Sequence, residues 1–117
     1  MHEYSIVDSL LELATRHAIE NNAKKVTKVE VKIGVLSGVE PELLKTAFET
    51  FKEGTICEDA KFIMHIQPVV IECNNCKTKS TLNKNEYLCP KCKSGDIKII
   101  DGEDMYLMSL ELETDEE

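Results

Sequence analysis

The feature that most constrains this chain is a set of four cysteines arranged as two identical pairs. Cys73 and Cys76 are separated by two residues. Twelve residues later, Cys89 and Cys92 repeat the same separation. Each pair can form a tight turn that directs two thiolates toward a shared point, which gives a tetrahedral site. Four soft thiolates favour zinc and leave no open position for water, so the spacing predicts one structural zinc ion.

Two other interpretations of the cysteine pairs remain open. A redox dithiol normally uses a single pair at a helix start within a βαβ unit, a context that is missing around these pairs. Iron–sulfur clusters often use other spacings. Within the zinc interpretation, Asn75 and Gly95 suit the sharp turns that the ribbon needs. The fifth cysteine, Cys57, lies outside the set, and we expect it to pack as a small buried hydrophobe.

The sequence outside the cysteines follows helix and strand periods. A first helix is predicted to end at Asn21-Asn22, and a second to begin at Pro41. Four further segments share the period-two alternation of strands: residues 26–35, 60–67, 97–100 and 105–112. On the last of these, one face is predicted to share four apolar side chains: Tyr106, Met108, Leu110 and Leu112. We therefore expect an α+β fold with two helices on a small three-stranded sheet and an inserted four-cysteine zinc ribbon.

The cysteine-rich stretch divides the chain. It carries few large apolar side chains and could not build a core of its own. The last strand is therefore expected to complete the sheet that begins before the insertion. This predicts an α+β domain from residues 1–70 plus 98–117, and a zinc-ribbon domain from residues 71–97.

Charge is distributed unevenly between these parts. The chain has 14 basic and 22 acidic residues and a net charge of −8, yet residues 73–95 contain five Lys and one acidic residue, Glu86. The ribbon therefore carries +4, or +2 with a zinc tetrathiolate, against −12 elsewhere. The basic ribbon could dock an acidic partner surface, the charge asymmetry could orient two copies head to tail, or the lysines could only solvate a small module.

The acidic remainder of the chain and the 5% aromatic content argue against nucleic-acid binding.

The N-terminus offers a second metal site. The α-amine of Met1, the backbone nitrogen of His2 and its imidazole can close two adjacent chelate rings on one ion. Glu3 can add a ligand through its backbone nitrogen or its carboxylate. Nitrogen-rich planar coordination suits Ni(II) or Cu(II), although a solvated histidine is the simpler interpretation.

The N-terminal segment lacks the pattern of a secretory signal, and an odd number of cysteines fits a reducing, cytoplasmic location.

Together, these features resemble the HypA/HybF family. The resemblance rests on Met1-His2-Glu3-Tyr4-Ser5, the leading helix, the strand at 26–35, residues 47–51 and the two cysteine pairs. It implies a nickel-incorporation protein for NiFe hydrogenase maturation that is not an enzyme. It also implies nickel as cargo at His2 beside Glu3, and structural zinc at the four cysteines.

The resemblance also implies partners. These are a HypB-type GTPase, the hydrogenase large subunit and, in some organisms, urease accessory proteins, with no nucleic acid and no membrane. A monomer or weak homodimer is expected. Some family members carry a histidine shortly after each cysteine pair, where this chain has Lys77-Thr78 and Lys93-Ser94. A zinc site that rearranges through such histidines to sense pH or nickel is therefore not expected here.

Alternatives from other classes are a zinc-ribbon nucleic-acid binder and a structural adaptor in which His2 is incidental. An enzyme is the least favoured, because the motifs contain no nucleophile–base pair, phosphate loop or open metal position. His17 and His65 are expected to be structural.

Overall fold

The strands form two separate three-stranded sheets in the computed structural model. The structure describes residues 2–82 and 86–114, and of His2 it describes only the backbone. The elements run in the order α1 (His2–Glu20), β1 (Ala23–Gly34), α2 (Pro41–Phe51), β2 (Lys61–Gln67), β3 (Val69–Cys73), β4 (Lys79–Leu82), β5 (Ile97–Asp101) and β6 (Met105–Thr114). The main sheet, in the order β2-β1-β6, carries both helices, and the ribbon sheet has the order β4-β3-β5.

The molecule is elongated. Its radius of gyration is 17.9 Å and its longest dimension is 55 Å. A compact chain of this length would have a radius of gyration of about 13 Å. The two sheets therefore lie end to end and do not share one core. No helix among the described residues is long and apolar enough to cross a bilayer.

The main sheet is built around its central strand. β1 pairs in parallel with β2, so α2 is the crossover between them, and it pairs antiparallel with β6. The apolar face of β1 is buried beneath the helices, and the Phe48 ring of α2 stacks on Phe62 of β2 with centroids 4.3 Å apart. The predicted fold class is confirmed, because β6 returns from the cysteine-rich insertion to complete this three-stranded sheet.

The predicted single apolar face of β6 is wrong in part. The pairing of β1 with β6 shifts register between Ser109 and Leu107, which leaves Met108 as an extra residue. Such a bulge switches the alternation of side chains between the two faces. Leu107 and Leu110 therefore both pack on the core, whereas Tyr106 and Met108 are exposed.

The ribbon sheet has a much smaller core. Three side chains are buried in it, Val69, Ile71 and Leu82, with two isoleucines of β5 packed against them. The sequence predicted neither β3 nor β4 as a strand, and β5 pairs with β3 of the ribbon sheet. Whether residues 71–97 fold as a domain distinct from 1–70 plus 98–117 stays a prediction.

Backbone contacts join the two sheets. The Gly34 N–H of β1 donates to the Asp104 carbonyl at 2.9 Å. A Cβ on Gly34 would overlap the Gly102 carbonyl, and Gly102 itself has a φ of +101° that other residues rarely adopt. An ion pair of 2.7 Å between Lys32 Nζ and Asp101 Oδ2 links β1 to β5 across this junction. At Gly34 and Gly102, the backbone segments at the junction of the two sheets therefore pack too closely to accommodate a side chain.

Candidate metal centre

The structure brings the four predicted cysteines together. Their sulfur atoms all lie within 4.8 Å of one another, as a single metal ion requires. Cys73 Sγ lies 3.6 Å from Cys92 Sγ, and Cys76 Sγ lies 3.6 Å from Cys89 Sγ. A tetrahedral ion bound at metal–sulfur distances of about 2.3 Å separates its sulfurs by about 3.8 Å. The cluster therefore fits one shared, four-coordinate ion.

Both cysteine pairs form the same turn. In the first, the Lys77 N–H donates to the Cys73 carbonyl at 2.9 Å, and the Cys73 N–H donates to the Thr78 carbonyl at 3.0 Å. In the second, the Lys93 N–H donates to the Cys89 carbonyl at 2.8 Å. These closed turns hold each first cysteine rigidly, so the identical spacing in the sequence produces two matching knuckles.

The sharp bend of each knuckle is not where the sequence suggested. Asn75 and Gly95 do not adopt the left-handed conformation, whereas Lys77 and Lys93 do, each with a φ of 65°. Asn75 has another role, because its N–H donates to Cys73 Sγ at 3.3 Å and its side-chain nitrogen lies 3.8 Å from Cys92 Sγ. Such donors stabilise thiolate charge at a metal site.

Hydrogen bonds prepare the first pair for metal binding. The Thr78 hydroxyl and backbone lower the pKa of the Cys76 thiol to about 6. The Cys76 N–H lowers the pKa of the Cys73 thiol. The Ser94 N–H also lowers the pKa of the Cys92 thiol, but partial loss of hydration at the sulfur and hydrogen bonds with the three neighbouring thiols outweigh it and raise that pKa to about 11. Four thiolates repel one another, so the last proton leaves readily only when a cation compensates their charge.

The centre is open on one side. Cys73 and Cys89 are fully buried, Cys76 is half-buried and Cys92 is exposed. The second cysteine of each knuckle therefore faces solvent, together with the lysine that follows it. Cys57 lies in the main core, where burial raises its thiol pKa to about 11, as expected of a buried hydrophobe.

The N-terminal candidates are only partly described. Met1 and the His2 side chain lie outside the described residues, and the backbone of His2 begins α1. Glu3 is buried, with 8% of its surface exposed, and its Oε2 accepts a hydrogen bond of 3.2 Å from the backbone N–H of Glu40. Glu40 is the N-cap of α2, so the Glu3 carboxylate lies at the positive end of that helix. The sequence did not single out Glu40, although Pro41 marked the helix start.

The remaining histidines occupy structural positions. His17 Nδ1 lies 3.7 Å from Glu20 Oε1 on α1. His65 Nε2 hydrogen-bonds Glu30 Oε2 on the main sheet, and Glu30 Oε1 accepts a bond of 2.8 Å from the Ser109 hydroxyl. Neither belongs to a cluster of three or more potential ligands among the described residues.

Known proteins share both the sequence and the fold. The sequence model of the HypA family, described as hydrogenase/urease nickel incorporation, metallochaperone, matches residues 1–112. A hydrogenase maturation factor HypA from Shewanella halifaxensis is 56% identical over 113 residues, which cover 97% of this chain and 98% of the relative. The factor of the same name from Aquifex aeolicus is 57% identical over 115 residues, covering 98% of this chain and all of that protein.

Solved structures agree with this assignment. The solution structure of the Ni metallochaperone HypA from Helicobacter pylori is 38% identical, has a TM-score of 0.68 and covers 97% of this chain and 98% of that one. A second solution structure of a HypA protein is 39% identical, has a TM-score of 0.74 and covers 96% of both chains. The chain therefore belongs to the HypA family of nickel-incorporation metallochaperones for hydrogenase maturation, and carries the four-cysteine metal site in its ribbon.

Proposed function

We propose that this protein carries Ni(II) at its N-terminus and releases it by ligand exchange during hydrogenase maturation. The match of the family model to residues 1–112 is the observation that carries the proposal. The ligands are the Met1 amine, the His2 backbone nitrogen and imidazole, and Glu3. A terminal, nitrogen-rich site can accept and donate nickel without unfolding a core. The protein acts as a carrier in the cytoplasm and not as an enzyme.

The contact of Glu3 refines this ligand set. Its carboxylate is already held by the N-cap of α2, where the helix dipole favours negative charge. We infer that Glu3 contributes its backbone nitrogen to nickel, while its carboxylate fixes the first turn of α1. Replacing Glu3 with Gln keeps an oxygen acceptor for the Glu40 N–H, so Glu3→Gln should retain nickel binding. A loss of binding in that variant would assign the carboxylate itself as a ligand.

The four cysteines hold zinc in this proposal, because an all-thiolate tetrahedral shell suits that ion. Bound zinc supplies structure only, since four protein ligands leave no coordination position for water. The closed knuckles and the N–H donors to Cys73 Sγ support this role. Zinc and nickel would thus be separated by ligand chemistry, with thiolates at one site and amine and imidazole nitrogens at the other.

Partners follow from the family. We propose a HypB-type GTPase as the protein that works with this carrier, and the hydrogenase large subunit as the recipient. Urease accessory proteins are a second destination, because nickel incorporation by this family serves hydrogenase and urease. Release of nickel should be promoted in acid, because the ligands are an amine of pKa about 8 and an imidazole of pKa about 6.5.

The test is a nickel titration of zinc-loaded, untagged protein beside His2→Ala. His17→Ala is the matched control, because it removes a histidine from the other end of the same helix. We expect tight nickel binding by the wild type and by His17→Ala, and its loss in His2→Ala with zinc retained in all three. Equal binding by His2→Ala would eliminate the N-terminal site and favour a zinc-stabilised adaptor.

A second variant tests the amine. Inserting Gly-Ser-Gly-Ser before Met1 keeps the imidazole but moves the α-amine away from the chelate, whereas a single inserted residue would place the histidine third in the chain and create a new planar nitrogen chelate. Nickel affinity should fall in this variant, and the affinity of the wild type should decline between about pH 8 and pH 6 as the two ligands are protonated. A flat profile across this range would contradict the proposed ligands.

A further inference from the structure

The lysines of the two sheets differ in how far their charges are neutralised. Around the main sheet, five lysines form ion pairs: Lys24, Lys25, Lys28, Lys32 and Lys52. Five lysines lie in the described parts of the ribbon, residues 68–82 and 86–102: Lys77, Lys79, Lys91, Lys93 and Lys98. None of these five has a carboxylate within 4.0 Å among the described residues, and none donates to a cysteine sulfur there. The charges of these five described lysines are therefore not neutralised by close ion pairs.

Two of these lysines occupy unusual backbone positions. Lys77 and Lys93 both have a φ of 65°, a conformation that glycine adopts without strain and that a residue with a Cβ adopts at a cost. Each follows the second, more exposed cysteine of its knuckle. Lys77 and Lys93 therefore occupy equivalent, exposed positions in the two knuckles, each next to the more exposed cysteine, and the exposed Lys91 directly precedes Cys92.

A shallow depression lies next to the second knuckle. It has a volume of about 310 Å³ and lies beside Lys93, with Leu82, Leu88 and Pro90 in its wall. Glu86 also lines it. Leu88 is 44% exposed, although it lies near Gly95 at the base of the second knuckle. The surface thus combines unpaired cations with room for an apolar side chain.

We propose that the open side of the metal centre, formed by Lys77, Lys91 and Lys93 with the adjoining depression, docks an acidic peptide segment of a partner protein. Charge complementarity supports this occupant, since residues 73–95 carry +2 with a zinc tetrathiolate bound and the rest of the chain carries −12. A nucleic acid is disfavoured, because its long phosphate backbone would also meet that acidic remainder. A short carboxylate-bearing segment can contact the ribbon alone.

The test uses a fluorescein-labelled peptide, Glu-Glu-Leu-Glu-Glu, and fluorescence anisotropy with the zinc-loaded, nickel-free full chain. Because glycine suits the left-handed position, Lys77→Gly with Lys93→Gly removes two charges without straining the fold. The matched control is Lys45→Gln with Lys61→Gln, which removes two lysines that form no ion pair around the main sheet. Since no nickel is present, failure here leaves the proposed nickel site untouched.

At about 50 mM salt, we expect the Gly double variant to bind the peptide about fivefold more weakly, and the control to bind as the wild type does. Lys77→Arg with Lys93→Arg should retain binding, and about 300 mM salt should weaken it in every protein that binds. Equal binding by the Gly variant and the control would overturn the proposal. So would tighter binding of a ten-nucleotide single-stranded DNA, or lysine-dependent self-association in sedimentation, which would assign the surface to nucleic acid or to a second copy.

Discussion

The main sheet and the ribbon sheet have the same number of strands but are stabilised differently. Both helices cover the main sheet, and large side chains such as Phe48, Leu44 and Ile33 are fully buried there. The ribbon sheet buries only Val69, Ile71 and Leu82 in its apolar cluster. Buried apolar area is the dominant source of folding free energy. This contribution is therefore large for the main sheet and small for the ribbon sheet. Metal–thiolate bonds must provide most of the order of the ribbon.

This difference predicts separate ways of unfolding. Loss of the metal should affect the ribbon and spare the main sheet. Loss of a core side chain should do the reverse. Only the backbone junction at Gly34 and Gly102, together with the pair of Lys32 and Asp101, should affect both.

Metal removal should have the largest effect. Apparent metal-binding free energies of about 10–16 kcal/mol are typical of small zinc modules and amount to their folding free energy. A zinc chelator, or Cys76→Ser, should abolish the protection of β3, β4 and β5 in hydrogen exchange and leave β1 and β6 protected. Cys57→Ala is the control, because Cys57 lies outside the site and should leave ribbon protection unchanged. Simultaneous loss of both sheets would refute the separation.

Truncation of the main core should come second. Phe48 is fully buried and stacks on Phe62, so Phe48→Ala should lower the free energy of unfolding of the main sheet by about 3–5 kcal/mol. Phe51→Ala is the matched control on the same helix, because that ring is 42% exposed and should cost about 1 kcal/mol. Urea unfolding measures both. Thiol accessibility of the ribbon should remain that of the wild type below the unfolding transition, and a rise in Phe48→Ala would contradict independent stabilisation.

The sequence predicted the parts that depend on local pattern. The two helices follow from apolar spacing, and the four-cysteine cluster follows from two matching pairs, because ligand geometry fixes spacing within a knuckle. The central strand was also predicted, although it begins at Ala23, before the expected residue 26. Each of these features depends on residues close in the chain.

The features that the sequence did not predict depend on distant residues. The bulge at Met108 arises from pairing with β1, and no pattern within β6 marks it. The pairing of β5 with β3 joins segments on either side of the knuckles, and β3 contains the first cysteine, which reads as part of the metal motif. The contact of Glu3 with Glu40 joins two helix starts 37 residues apart. The left-handed lysines were missed because glycine and asparagine are the usual residues for such turns.

The junction should give the third largest effect and the first that reaches both sheets. In Gly34→Ala the new methyl group would overlap the Gly102 carbonyl and lie 2.9 Å from the Glu103 nitrogen, so backbone must move. We expect a loss of about 1–3 kcal/mol, with increased hydrogen exchange in β1 and in β5. Gly95→Ala is the control, because its methyl group would meet only Leu88 at an ordinary 3.6 Å. Increased hydrogen exchange confined to β1 would show that the junction does not couple the stability of the two sheets.

The smallest effect should come from the ion pair across the junction, and its pH dependence identifies it. Lys32 and the Gly102 N–H hold the pKa of Asp101 below its usual value. A carboxyl group with a lowered folded pKa stabilises the fold above its unfolded pKa of about 3.9, and this contribution disappears as pH falls through the folded pKa. Asp101→Asn keeps an oxygen for the Gly102 N–H but loses the charge.

The stability difference between wild type and Asp101→Asn should therefore be constant from about pH 7 to pH 5 and shrink below about pH 4. Acid also protonates the cysteines and releases the metal, but it does so in both proteins, so the difference between them isolates Asp101. Urea unfolding of the main sheet at each pH provides the measurement. A difference that persists unchanged to about pH 2 would mean that the effect of the substitution does not come from the charge of Asp101, and that the ion pair with Lys32 contributes nothing to holding the sheets together.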